Sequence, residues 1–143
     1  MAISLKSARV SLVVCSLLLV AVALIIALGV IPSVTVDTSP HATPERAVPA
    51  FWVSVALHLL AAAFFLEVGI TTRGRTVPLM VMQMVVCLLV LLLGYGLTDA
   101  AAACLGHGPQ MHRTAILLFA SAAATCISAL IGISVAYLIP KKP

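Results

Sequence analysis

The sequence predicts an all-α membrane protein: four antiparallel transmembrane helices in one domain spanning residues 1–143, with the N and C termini cytosolic. Three observations predict it. The chain of 143 residues is 63% hydrophobic and 8% charged, its apolar residues fall into four long runs, and its charges lie almost entirely between them. A soluble domain needs a polar coat, with about a quarter of its residues charged. That coat is missing and the mean hydropathy is +1.25, so lipid is the expected solvent for most of the chain.

The four runs cover about residues 10–31, 51–72, 77–98 and 114–139. Each reaches about 20 residues or more, enough to cross a hydrocarbon layer of about 30 Å at about 1.5 Å per residue. Strands are not expected, because no run alternates with period two and an open sheet leaves backbone groups unsatisfied in lipid. The first run follows a basic leader and ends near Ala27-Leu28-Gly29, which resembles a signal cleavage site. Its apolar core exceeds the roughly 7 to 15 residues of a signal sequence, so an uncleaved anchor is expected.

Basic residues set the expected orientation. Lys6 and Arg9 precede the first run, Arg73 and Arg75 separate the second from the third, and Lys141 and Lys142 follow the fourth, whereas Arg46 and Arg113 lie on the other side. Short basic segments stay cytosolic. The net charge of +4 is then an orientation signal, helped by anionic lipid, and no nucleic-acid partner is implied. Trp52 and Tyr95 fall near the expected outer interface and Tyr137 near the cytosolic one.

The connections are short. Residues 32–50 contain Pro32, Pro40, Pro44 and Pro49, which predicts an extended connector. Residues 99–113 make a second small outer loop and residues 73–76 a tight cytosolic turn. Cys15, Cys87 and Cys126 lie within runs and Cys104 in the second outer loop, so no disulfide between outer loops is expected. The sequence has no asparagine, so N-glycosylation is excluded.

Few residues can carry chemistry. Glu67 is the one acidic residue inside a run, and intramembrane charges are functional candidates by default. It lies at a depth similar to Gln83 in the next run, where the two could hydrogen-bond across a hairpin. Snorkelling, pairing with Arg75 and ion handling are the other readings. His58 is nine residues before Glu67, which turns the two to opposite faces at about 100° per residue. They cannot line one proton path, and a neutral buried histidine bonded to a neighbouring helix is the expectation for His58. Bis-histidine haem would need a histidine in another run. Asp99, Cys104, His107 and His112 share the second outer loop, but their spacing matches no zinc signature, so neither metal nor cofactor is expected. No catalytic constellation can be assembled, and an enzyme is not expected.

The fourth run offers a packing feature. Ala120, Ala124, Ser128, Gly132 and Ala136 recur every four residues, widened by Ser121, Thr125 and Ala129. Small side chains let helix backbones approach closely where lipid gives no hydrophobic drive. The ridge is expected to face this bundle or another subunit, and Gly132→Leu to insert normally yet lose complex assembly, with Leu130→Ala as a silent control.

A basic leader, four spans, Thr43-Pro44-Glu45 before the second span, Glu67 within Phe65-Leu66-Glu67-Val68-Gly69 and a terminal Lys141-Lys142-Pro143 together resemble the transmembrane protein 107 family. The likeness covers nearly the whole chain as architecture and these short stretches as residues. Two positions depart from it: Gln83 stands where the family has a histidine, and Ser128 or its apolar neighbours where it has a glutamate. The resemblance implies a non-enzymatic scaffold of the ciliary transition zone, needed for cilium assembly and for gating ciliary membrane composition. Its partners would be the lipid bilayer and other membrane proteins of the transition-zone module. The alternative is a small transporter or channel subunit using Glu67 and His58. If Glu67 pairs with Gln83, Glu67→Gln preserves stability and Glu67→Leu costs about 1 kcal/mol, read by unfolding in micelles.

Overall fold

The computed structural model describes residues 3–36, 44–106 and 109–141; His107, Lys142 and Thr43 lie outside them. Four helices long and apolar enough to cross a membrane make up most of the described chain, and no strand occurs among the described residues. Helix α1 (Leu5–Ile25) starts at Ser4, whose side chain accepts from the Ser7 amide. It widens into a π turn (Ile26–Val30) and continues as the short α2 (Ile31–Val36). The wide turn lies just before Pro32, whose ring would otherwise press on the carbonyl four residues back. Helix α3 (Pro44–Thr71) contains Pro49. Helix α4 (Val77–Leu105) is capped by the Thr76 hydroxyl and carries a proline in its first turn. A 3₁₀ turn (Pro109–Met111) leads into α5 (His112–Leu138).

The two connections expected on the outer side are more helical than proline content and loop composition predict. Of the expected extended connector, residues 32–36 and 44–50 are helical, and residues 37–43 lie outside the described chain. Pro44 opens α3, where its missing N–H costs nothing. Residues 99–105 likewise continue α4 past the expected end at Thr98. Cys104, expected in the second outer loop, is instead buried on the last turn of α4. A labelling test of topology therefore belongs at an exposed neighbour such as Asp99.

One end of the bundle collects the basic residues. The Ile3 amide donates to the Leu138 carbonyl at 3.1 Å, and the Arg75 amide to the Pro140 carbonyl at 2.8 Å. Arg9 donates through Nη2 to the Thr72 carbonyl at 2.6 Å, and Arg75 through Nη1 to the Tyr137 carbonyl at 2.7 Å. The two guanidinium groups thus close the carbonyl ends of α3 and α5, where positive charge is favoured. Gly74, with φ of 153°, makes the turn between α3 and α4 in a conformation that side chains disfavour.

Helix neighbours do not follow chain order. α1 packs against α3 and α5, and α4 packs mainly against α5, while α3 and α4, joined by the shortest link, scarcely touch. The expected hairpin contact between the second and third spans is therefore reduced to a minor one, and α5 takes the central place. Its buried stripe is Thr114, Leu118, Ser121, Thr125, Ser128, Gly132 and Val135, spaced alternately by four and three residues. The expected ridge coincides with it only in part. Ser128, Gly132 and Ala136 are buried, Ala124 is half-buried and Ala120 is exposed. Steps of four residues advance about 40° each around the helix, so five such positions sweep through about 160° and cannot share one face.

Two glycines set the α4–α5 approach. A Cβ on Gly132 would stand 2.7 Å from Cys87 Sγ and 3.0 Å from two ring carbons of Phe65, and one on Gly94 would stand 2.6 Å from Cys126 Sγ. Gly132 is thus enclosed by its own bundle, so Gly132→Leu disturbs the fold itself and does not isolate loss of partners. Gly132→Ala should lower the unfolding free energy in micelles by about 1–3 kcal/mol, the usual cost of overpacking. Gly94→Ala should cost less, because Cys126 is only half-buried and its sulfur can turn aside. Equal costs at the two glycines would refute this packing.

Candidate functional site

The polar groups of the spans converge on α5. His58 is fully buried because the core face of α3, including Val55, Ala62 and Phe65, carries it toward α5. Its Nδ1 lies 2.7 Å from the Ser54 carbonyl, and its Nε2 lies 2.9 Å from Thr125 Oγ1. Thr125 Oγ1 also lies 2.7 Å from the Ser121 carbonyl. Contact with a carbonyl requires a proton on Nδ1, since two acceptors do not approach so closely. A neutral ring then leaves one hydroxyl proton on Thr125 for two acceptors, Nε2 and the Ser121 carbonyl. The pair is a cross-helix tie in which that one proton is shared.

Other packed interfaces have ties of their own. Ser16 on α1 donates to the Ala62 carbonyl of α3 at 2.7 Å. Cys15 on α1 reaches the Ser128 carbonyl of α5 at 3.6 Å, and Ser33 on α2 bonds Thr114 at the start of α5. Gln83 on α4 donates through Nε2 to the Gly132 carbonyl at 2.7 Å. Gly132 has no side chain to shield that carbonyl, so its main chain can take a second donor. Lipid supplies no competing hydrogen bonds, which makes such ties effective between membrane helices.

The expected pair of Glu67 and Gln83 does not form. Gln83 is 1% exposed and faces α5. Glu67 is exposed, and its backbone carbonyl accepts from the Thr71 hydroxyl at 2.7 Å. The cause is the helix order: with α3 and α4 apart, equal depth does not bring the two side chains together. Among the described residues, two buried polar atoms have no hydrogen-bond partner, Gln83 Oε1 and Ser121 Oγ.

The described residues of the expected second outer loop do not assemble into a metal centre. Cys104 is buried, Asp99 and His112 are exposed, and His107 is outside the described residues. Among the described residues, no three His, Cys, Asp or Glu side chains are grouped closely enough to hold an ion. Ser16, Ser33 and Thr114 were not singled out by sequence reading. Their only signal is the heptad phase they share with other core positions, hidden in α1 by apolar residues all round.

Comparison with known protein families, characterised proteins and solved structures gives no match.

Thr125→Val tests the seam. It keeps shape but removes the hydroxyl, leaving His58 Nε2 without a donor or acceptor. Double-mutant analysis with His58→Leu should give a coupling of about 1 kcal/mol in unfolding. Additive effects would mean that the two side chains do not interact.

Proposed function

We propose that this integral, multi-pass membrane protein is a non-enzymatic scaffold that works by holding other membrane proteins. The observation that carries this reading is the use made of its core polar groups. His58, Gln83, Ser16, Cys15 and Ser33 each tie one helix to another, leaving the interior committed to rigidity. The residues that a transporter would need point apart: His58 is enclosed, whereas Glu67 faces outward on the same helix. The basic end with both described termini is assigned to the cytosol by the positive-inside rule.

The resemblance to the transmembrane protein 107 family adds a place, the ciliary transition zone, and a role in cilium assembly and in gating ciliary membrane composition. A fluorescently tagged full-length chain in ciliated cells should form a band at the base of the cilium and co-purify with other membrane proteins. Even distribution over cell membranes, without co-purification, would count against the scaffold. Ion flux through reconstituted vesicles, abolished by Glu67→Gln, would replace it with the transporter reading.

A further inference from the structure

Between α3 and α4 the bundle is open along its side. Two adjoining apolar hollows of about 470 and 390 Å³ share Leu92 and Leu93 as walls. The first lies between Leu57, Leu60 and Phe64 of α3 and Val86 and Leu89 of α4. The second continues past Phe51 and Ser54 to Gly96 and Ala100. On α3 the groove thus extends from Ala50 to Phe64, about 21 Å at the helical rise.

Glu67 stands at the closed end of this groove. It follows Leu60 by seven residues, which places it within about 20° of the same direction and about 10 Å farther along α3. Beyond it the two helices converge on the turn at residues 72–76. Among the described residues its carboxylate has no hydrogen bond or ion pair. Charged side chains in spans normally face a bundle interior or a paired group, and here the bundle supplies neither.

We propose that the α3–α4 groove receives a transmembrane helix of another protein, with a Lys or Arg on that helix paired to Glu67. Length selects a helix. Including the step to Glu67, the groove covers about 26 Å of a hydrocarbon core of about 30 Å, whereas a lipid chain occupies one leaflet. The carboxylate selects a basic residue, placed at the same depth, about five residues inside the end nearest the 72–76 turn. The apolar walls take the rest of the helix by side-chain packing, as membrane helices associate. This names the kind of partner that the scaffold reading requires and rests on that reading.

The test uses the full-length protein with a donor fluorophore in phosphatidylcholine vesicles. The probe is an acceptor-labelled Leu/Ala peptide of about 24 residues, carrying one Lys about five residues from one end. Energy transfer should show about tenfold tighter association for this peptide than for its all-apolar parent. Glu67→Leu should erase that difference. Leu60→Trp, which fills the groove from an exposed position, should abolish binding of both peptides, and Leu59→Trp, exposed on α3 but outside the groove, should leave it unchanged.

Equal binding of the two peptides, or binding that survives Leu60→Trp, would overturn the proposal. So would absence of binding, which would leave the groove to lipid. Transfer between two differently labelled copies of this chain, lost in Glu67→Leu and not competed by the Lys peptide, would make a second copy the occupant and overturn the assignment. A chain that still co-purifies with membrane partners in cells while ignoring the peptide loses the groove and keeps the scaffold reading.

Discussion

Lipid offers helices no hydrophobic reason to associate, and the rest of this structure depends on how α5 overcomes that constraint. Association in a bilayer needs close packing and interhelical hydrogen bonds. One stripe of α5 provides both. Ser121, Thr125, Ser128 and Gly132 are small enough to be enclosed, and their hydroxyl or carbonyl oxygens accept or extend the ties from neighbouring helices. A stripe of leucines would bury as well in lipid as in the bundle and would specify no neighbour. Polar atoms at set heights specify both neighbour and register.

Centring the bundle on α5 has a geometric consequence. Helices α1 and α4 lie against α5, and α3 lies against α1 and reaches α5 through His58 and Phe65. With those contacts satisfied, α3 and α4 part along their length although the chain joins them within a few residues. The groove and the outward Glu67 are two results of the same arrangement. At the joined end, Arg9 and Arg75 cap helix carbonyls, so part of the basic cluster that reads as an orientation signal is also structural.

Four helices and their approximate spans were legible in the sequence because lipid imposes length and hydropathy directly. Helix order was not. The short 73–76 turn suggested that Glu67 and Gln83 meet, yet a turn constrains only the ends it joins. Whether Gln83 faces α3 or α5 depends on the open carbonyl of Gly132, and backbone acceptors leave no trace in a sequence. The small-residue ridge was half legible. A four-residue repeat found Ser128, Gly132 and Ala136, but the true period is nearer three and a half, so Ala120 fell outside and Thr114 was missed. The helical character of residues 44–50 was obscured by Pro44, which a first helical turn accepts, and by Pro49, which α3 carries inside it.

The central claim is that the small polar stripe of α5 organises the bundle. Its most direct test is a leucine scan of residues 120–132, with alanine at Leu130, read as the unfolding midpoint of each variant in micelles. Stability should fall at Ser121, Thr125, Ser128 and Gly132, with Ala122 and Ala129 beside them, and hold at Ala120, Ala123, Ile127 and Leu130. A flat profile, or losses every four residues at Ala120, Ala124, Ser128 and Gly132, would contradict the account.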